Sequence, residues 1–345
     1  MTAGPAVTPQ DQVQVRAYVD DDEAEVLALL ETCLAGGPTG SRTADFFAWK
    51  HRDNPFGPSP AWVAVDAGSG AIVGLRTWLR WKLAGPDGAV LRAVRAVDTA
   101  THPDHQGRGI FRRLTTESLD ALAGDVDLVF NTPNDASGPG YLAMGWQAVG
   151  KVDLAVAPRR PLRMLAHRSD LSSGGGRPGA PPCPLAGADA LLADSRLAAL
   201  VAAARPRGNG LHTTPSAEFL RWRYAAPGLA YHAAAVESGA DLAAVAFCRP
   251  RHRGGLDELI LADVIVRAGD TAALRDVLAQ VRRAAGDYAI ALAGHGRADG
   301  PSVRRGWVPL AKAGPLLTTR PLRPLGFDPV DPKAWSLCMG DLEVF

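Results

Sequence analysis

The stretch Thr101-His-Pro-Asp-His-Gln-Gly-Arg-Gly-Ile-Phe111 decides how this chain is interpreted. It follows an apolar run, 90–101, that predicts a strand, and it leads into a run, 111–123, that predicts a helix. A turn of small residues in that position exposes backbone N–H groups at the positive end of the helix dipole. Arg108 adds a cation. The sequence therefore predicts an anion-binding turn between this strand and this helix.

Two motifs follow one another in this region. The first, Gln106-Gly-Arg-Gly-Ile-Phe111, resembles the Gln/Arg-x-x-Gly-x-Gly/Ala loop of the GNAT superfamily of acyl-CoA-dependent N-acyltransferases, and departs from it at Phe111. The second lies in 134–146 and resembles the superfamily's Asn-x-x-Ala-x-x-x-Tyr-x-x-x-Gly-Phe motif, with Ser137 in the alanine position and Trp146 in the phenylalanine position. The chain is similar to that superfamily in both motifs and in their order.

The resemblance implies a fold, a co-substrate and a set of contacts. The expected fold is α/β, a mixed and mostly antiparallel sheet flanked by helices, and the expected co-substrate is acyl-CoA, with no metal. In the family's arrangement acyl-CoA would be bound by Thr99, Ala100, Thr101, Gln106, Gly107, Arg108, Gly109, Ile110, Phe111, Asn134 and Ser137.

Aminolysis of a thioester needs an oxyanion donor and a proton for the leaving thiolate. The resemblance assigns the first role to the backbone N–H of Thr99 and the second to the hydroxyl of Tyr141. Thr99 is equally compatible with an ordinary β-branched strand position, and Tyr141 with a helix aromatic packed in a core.

Three groups are candidates for the general base. Regular alternation would place Asp98 and His102 on one face of the strand, with Asp98 beside the thioester. Asp98 could instead be structural, paired with Arg95 or Arg92. The third candidate is the carboxylate of Phe345, because tandem GNAT aminoglycoside acetyltransferases of the enhanced-intracellular-survival type use a terminal phenylalanine in this way.

The length of 345 residues predicts two domains. We expect a catalytic GNAT domain at 1–160, a flexible Gly/Pro/Ser-rich linker at 161–188 and a degenerate GNAT-like domain at 189–345 that shapes the acceptor groove. Weak repetition supports this tandem arrangement, since the segment around Trp49 resembles the one around Trp222. In the second copy Asp270 begins a helix directly, without a Gln-x-x-Gly loop. The alternative is two unrelated α/β domains.

Net charge, apolar stretches and cysteine spacing restrict the classes of partner and the location that we expect for the protein. The formal net charge of +1 indicates no nucleic-acid partner, and no apolar stretch indicates a signal peptide or membrane insertion, so we expect a cytoplasmic protein. Four cysteines without paired spacing predict neither disulfide bonds nor a zinc site. We expect Cys183, in the linker, to be unburied. Trp78 and Trp81 fit either an acceptor groove or a core, and the terminal run 335–345 is strand-like.

The predicted activity is transfer of an acyl group from acyl-CoA to an amine of a bulky small molecule. An aminosugar of a natural product or antibiotic, such as a glycopeptide, fits the two-unit layout by analogy. One alternative is a protein or peptide N-acetyltransferase, and another is a non-catalytic acyl-CoA-binding module. The sequence indicates neither the acyl length nor the oligomeric state.

Overall fold

The computed structural model describes residues 13–34, 42–85, 88–159, 182–204, 210–253, 256–288, 290–294 and 307–343. Its helices, apart from short 3₁₀ turns, are α1 (Glu23–Leu34), α2 (Ala44–His51), α3 (Ile110–Leu122), α4 (Gly138–Ala143), α5 (Asp189–Ala193), α6 (Arg196–Ala202), α7 (Ala217–Tyr224), α8 (Thr271–Ala284) and α9 (Met339–Leu342). Its strands are β1 (Val13–Ala17), β2 (Ala61–Asp66), β3 (Ile72–Ala84), β4 (Val90–Thr101), β5 (Leu128–Asn131), β6 (Gln147–Lys151), β7 (Leu154–Pro158), β8 (Ala186–Gly187), β9 (His212–Thr213), β10 (His232–Ser238), β11 (Asp241–Arg253), β12 (Leu256–Val266), β13 (Ile290–Gly294), β14 (Val308–Leu310) and β15 (Leu316–Pro321).

The chain divides into two compact units, and neither is a continuous piece of sequence. Unit 1 contains the described residues up to Trp81, then Leu91–Ala148 and Thr318–Leu325. Unit 2 contains Lys82–Val90 and the described residues of Val149–Leu317 and Gly326–Phe345.

Unit 1 is built on a mixed sheet with the strand order β1-β2-β3-β4-β5-β15-β6. The β1–β2 and β2–β3 pairs are antiparallel, and β4 and β5 run parallel because helix α3 connects them. Helix α1 packs over one face of the sheet and α3 over the other, each burying an apolar stripe. The predicted mixed, mostly antiparallel sheet flanked by helices is thus confirmed.

Strands β4 and β5 separate soon after they meet. They pair only at Ala93 with Leu128 and at Val94 with Val129. Because β5 ends at Asn131, the last residues of β4 have no β5 residue opposite them. This gap lies in the same sheet as the turn that begins α3.

Unit 2 has its own mixed sheet, with the order β14-β7-β13-β12-β11-β10-β8. Strands β10, β11 and β12 form an antiparallel meander, and β13 runs parallel to β12 after the crossover helix α8. The strand β7, expected to extend the first sheet, instead pairs with β13 and β14 in this one. Unit 2 buries its core between this sheet and α8.

Local signals placed most element boundaries correctly. Thr43 accepts a hydrogen bond from the backbone N–H of Phe46 and caps α2. Asp270 caps α8 in the same way, accepting from Ala273. Pro139 lies in the first turn of α4, a position where proline is tolerated.

The structure corrects two expectations, decides between two alternatives for a third, and does not describe the residues of a fourth. The terminal run 335–345 is not a strand, since it contains the short helix α9. Cys183 is partly buried against the core of unit 2, because the end of the proposed linker joins that unit through β8. Trp78 and Trp81 are buried core residues rather than groove residues. Most of the proposed linker and Phe345 lie outside the described residues.

Among the described residues, no helix combines the length and the apolar character needed to cross a membrane.

Candidate active site

The turn before α3 presents a row of unused amide groups. Gly107 and Gly109 have φ angles of 75° and 77°, a left-handed conformation that favours glycine. Gly109 begins α3 without any side-chain cap. Within 88–159, which the structure describes without a gap, no protein group accepts a hydrogen bond from the backbone N–H groups of residues 107 to 112. The geometry therefore fits a phosphate-bearing ligand, as the sequence predicted.

Two side chains of the turn stabilise its shape through hydrogen bonds to nearby carbonyl groups. Gln106 donates through Nε2 to the carbonyl of Thr101 at 3.2 Å, and Arg108 donates through Nη2 to the carbonyl of Asp104 at 2.9 Å. Ile110 is buried in the core between the sheet and α3. These contacts leave the amides of the turn, rather than its side chains, as the main anion-binding groups.

A β-bulge at Asp98 changes the direction in which β4 presents its backbone. The carbonyl of Arg92 accepts a bond from the residue just before β5, whereas the N–H of His102 donates to a β3 carbonyl at 2.9 Å. In a regular strand, residues an even number apart point to the same edge, so one extra residue must lie between these two. Asp98 is that residue, with a φ of 41°.

The bulge decides where the predicted oxyanion donor points. Alternation counted back from His102 directs the backbone N–H of Thr99 to the edge that β5 leaves open. The side chain of Thr99 faces α3 and α4, and that of Ala100 packs against the α1 side. A carbonyl placed in the gap could therefore receive the Thr99 amide, while Ala100 serves the core.

Tyr141 lies at the same gap, on α4. Its side chain is buried, and its ring packs edge-on against Phe111 with centroids 5.4 Å apart. Its hydroxyl accepts a hydrogen bond from Nη1 of Arg76 at 2.7 Å. Phe111, the residue that departs from the family pattern, thus supports the tyrosine.

Sequence reasoning missed Arg76. It lies on β3, is fully buried, and contacts both Tyr141 and Thr99. A signal was present, because Arg76 interrupts the apolar run 72–79 of a strand that is buried on both faces.

Asn134 and Ser137 shape the approach to α4. The side-chain oxygen of Asn134 accepts from the N–H of Ser137 at 2.9 Å and from its hydroxyl at 2.8 Å. This Asx-type turn leads directly into the helix that carries Tyr141. Both residues therefore have a local structural role, and contact with acyl-CoA stays a prediction for them.

The side chain of Asp98 faces α2, where it meets two cations and a histidine. Its carboxylate lies 2.6 Å from Nζ of Lys50, 2.9 Å from Nε2 of His51 and 3.5 Å from Nε of Arg42. The carboxylate of Asp98 thus contacts Lys50 and His51 rather than the predicted partners Arg95 or Arg92.

Electrostatics at this cluster make Asp98 a weak proton acceptor. Burial alone would raise the pKa of Asp98, but the charge of Lys50 and the hydrogen bond from His51 hold it well below its usual value. Burial lowers the pKa of Lys50 to about 8, although the carboxylate acts in the opposite direction. Burial also lowers the pKa of His51. The arrangement favours anchoring of α2 to the sheet.

His102 and Phe345 complete the predicted base candidates. The strand ends at Thr101, and His102 caps the following turn, accepting from the N–H of Asp104 at 3.3 Å. It is partly exposed on the same turn as the unused amides. Phe345 lies outside the described residues, and its role stays a prediction.

No group of three or more His, Cys, Asp or Glu side chains in the described part of the chain is arranged to hold a metal ion.

Comparison with known proteins places this geometry in a family. Residues 14–149 match a family model described as an acetyltransferase (GNAT) domain. No curated protein is similar to the chain in sequence.

Solved structures share the fold at low sequence identity. A probable N-acyltransferase from Enterococcus faecalis is 12% identical with a TM-score of 0.62, and a GCN5-related N-acetyltransferase from Anabaena variabilis is 9% identical with a TM-score of 0.62. Eis1 from Mycobacterium abscessus is 16% identical with a TM-score of 0.53. Each alignment covers 90% of this chain and 73% of the other. The turn and the separated strands lie within residues 14–149, the part of the chain that matches the GNAT acetyltransferase domain.

Proposed function

We propose that the protein transfers an acyl group from acyl-CoA to the amine of a small molecule. The observation that carries this proposal is the convergence of three features on one gap in the sheet of unit 1. These are the unused amides of residues 107–112, the Thr99 amide at the open edge of β4, and the buried hydroxyl of Tyr141.

The residues have separate tasks in the proposed reaction. The turn amides bind the diphosphate of the donor, and the Thr99 amide stabilises the oxyanion that forms when a neutral amine attacks the thioester carbonyl. The C–N bond forms as the carbonyl π electrons move to oxygen, and collapse of the oxyanion then breaks the C–S bond and leaves its electron pair on sulfur. Tyr141 gives its proton to that sulfur and regains one that the attacking amine releases to solvent.

The general base is the least constrained part of the mechanism. Asp98 is paired with cations, so it is the weakest of the three candidates. His102 is partly exposed beside the turn, and Phe345 remains a candidate on the resemblance alone. Variants that replace His102 or extend the chain beyond Phe345 distinguish them by the effect on turnover.

We propose that unit 2 is a degenerate copy of unit 1. The helix α7 begins at Ser216 and ends at Tyr224, which donates to Asp263 on β12 at 3.0 Å. Helix α2 of unit 1 ends in the same way, with His51 bonded to Asp98 on β4. The same strand order, including one parallel pair after a crossover helix, supports the duplication.

The second copy has lost its anion site in this proposal. The carboxylate of Asp270 already accepts from an N–H of the first turn of α8, at 2.8 Å. A negative side chain at this helix end would repel a phosphate. We therefore propose one acyl-CoA site per chain and a role for unit 2 in holding a bulky acceptor such as an aminosugar.

The test is release of free CoA thiol from acetyl-, octanoyl- and decanoyl-CoA across a panel of aminosugars and other amines. Tyr141→Phe should slow turnover by roughly tenfold to ten-thousandfold. Tyr231→Phe is a matched control, because Tyr231 is also buried and also accepts from an arginine, Arg223, at 2.9 Å. The control should retain turnover.

Two outcomes would contradict the proposal. Absence of acyl-CoA binding by folded protein would remove it entirely. Binding of acyl-CoA without transfer to any amine or peptide would instead support a non-catalytic binding module, and transfer to peptides alone would support a peptide N-acetyltransferase.

A further inference from the structure

Arg76 is a buried cation whose hydrogen-bond partners are all neutral. Its side chain is fully buried on β3. Nη1 donates to Oγ1 of Thr99 at 2.6 Å and to the hydroxyl of Tyr141 at 2.7 Å, and Nη2 donates to the hydroxyl of Thr115. The Nε group is buried without an acceptor.

Aromatic rings, rather than a carboxylate, surround this guanidinium. Its central carbon lies 5.0 Å from the ring centroid of Trp78, 5.1 Å from that of Phe111 and 5.3 Å from that of Tyr141. Across the described residues, no acidic group lies within ion-pair distance of Arg76. The ring faces attract the cation but carry no formal negative charge. Among the described residues, Arg76 therefore has no anionic partner at the gap.

Arg223 in unit 2 is a buried arginine whose guanidinium also donates to backbone carbonyl groups. Arg223 also donates to a tyrosine, but it makes further bonds to the backbone carbonyls of Gly340 and Glu343, at 3.0 and 2.6 Å. Among the described residues, Arg76 donates to no carbonyl, and its Nη1 donates to two hydroxyl groups of the candidate active site.

The bond from Arg76 also determines which way Tyr141 can donate. Since the hydroxyl oxygen of Tyr141 accepts from Nη1, its own hydrogen must point elsewhere. No protein group in the described part of the chain accepts that hydrogen. The neighbouring Thr115 hydroxyl is already committed to the carbonyl of Phe111 at 2.7 Å.

We propose that Arg76 is a positioning residue for acyl transfer. It fixes the Tyr141 hydroxyl with its hydrogen directed into the gap. When the C–S bond breaks and the Tyr141 proton moves to sulfur, the remaining phenolate lies 2.7 Å from Nη1 of Arg76. This inference rests on the proposed N-acyltransferase function, and it adds the group that supports the proton donor.

The test is a double-mutant cycle between Arg76→Gln and Tyr141→Phe, followed as kcat, KM for acyl-CoA and CoA affinity by calorimetry. Arg76→Gln should lower kcat by roughly tenfold to a hundredfold, because it removes a charged hydrogen-bond donor. KM for acyl-CoA and the Kd for CoA should change less than about threefold, since the turn amides are untouched. In the Tyr141→Phe background the same substitution should change kcat by less than about threefold.

Arg95→Gln provides the matched control. Arg95 is also buried in unit 1 and lies over two rings, those of Trp81 and Phe130, at 5.5 and 4.8 Å. Its substitution should lower the unfolding temperature without coupling to Tyr141→Phe. If Arg76→Gln does not fold, Arg76→Lys keeps the charge and serves in the same cycle, with an expected kcat between wild type and Tyr141→Phe.

The outcomes separate this inference from the proposed function. Equal losses of kcat from Arg76→Gln in both backgrounds would show a packing role and overturn the inference, while leaving acyl transfer intact. A Tyr141→Phe variant with unchanged turnover would also overturn it, because the hydroxyl would then not be the proton donor in the reaction. A wild-type protein that binds CoA but transfers nothing would remove both proposals.

Discussion

Replacing Asp98 by asparagine tests whether its cluster anchors α2 to the sheet. The substitution keeps the size of the side chain and removes its charge. The side chains of Lys50 and Asp98 are 2% and 4% exposed, so little solvent would screen the unpaired lysine. The control is Asp53→Asn, because Asp53 is an exposed acid just beyond the same helix.

The expected loss of stability follows from the unpaired charge that the substitution leaves on Lys50. Burial takes the pKa of Lys50 from 10.5 to about 8 even beside the carboxylate. One pKa unit corresponds to about 1.4 kcal/mol, so the charged amine already carries a penalty of about 3 kcal/mol. Removing one partner of a buried ion pair typically costs about 3–5 kcal/mol. We expect a loss in that range for Asp98→Asn and less than about 0.5 kcal/mol for Asp53→Asn.

The assay combines urea unfolding with hydrogen exchange of the α2 amides. Exchange reports on unit 1 directly, which matters because a chain of two units need not unfold in one step. Asp98→Asn should accelerate exchange in 44–51, and Lys50→Met added to it should restore part of the protection, because an apolar side chain suits the site.

The pH dependence has a defined sign. The pKa of Asp98 is lowered in the folded state, so its contribution is present above about pH 4 and is lost as the pH falls below that value. The wild type should therefore lose stability on acidification more steeply than Asp98→Asn. A variant as stable as the Asp53→Asn control, or one with the wild-type acid response, would refute the anchoring role.

Two glycines give further predictions. Gly107→Ala forces a side chain into a left-handed residue with φ of 75°, at a cost of about 1–2 kcal/mol, and should weaken CoA binding by roughly tenfold in calorimetry. Gly124→Ala, with φ of 89° at the other end of α3, should cost similar stability but leave the Kd unchanged; equal affinities in both variants would contradict the assignment of the turn. Gly74→Ala would place a Cβ 2.9 Å from side-chain atoms of Ile110 and Leu114, so urea unfolding should show a loss of about 1–3 kcal/mol, and an unchanged midpoint would show that α3 shifts freely.

Much of the local structure followed from the sequence because its causes are local. Capping side chains such as Thr43 and Asp270 satisfy amides one turn away, and glycine at Gly107 and Gly109 permits a left-handed turn that other residues resist. The motif spacing also located Tyr141, since family spacing reflects one helix and one turn. Fold class and family could therefore be predicted before any contact was known.

The composition of the active site depended on the tertiary structure. The bulge at Asp98 reverses the direction in which the side chain and backbone groups of every later residue of β4 point. Sequence alternation contains no signal for this bulge. Arg76 lies 65 residues from Tyr141 in the chain, and β3, β4, α3 and α4 must all pack before its guanidinium meets the hydroxyl. Strand β7 likewise joins the sheet of unit 2 through pairings with β13 and β14.

The sequence by itself determined the glycine turn before α3 and the cap of α8, because each depends on interactions within a few residues, and its motifs indicated the mixed sheet through the family resemblance. Only the tertiary structure decided that Asp98 pairs with Lys50 and that Arg76 donates to Tyr141. Both are charged groups removed from water, and the partners that make such burial tolerable come from distant segments that meet only when the sheet and its helices are assembled.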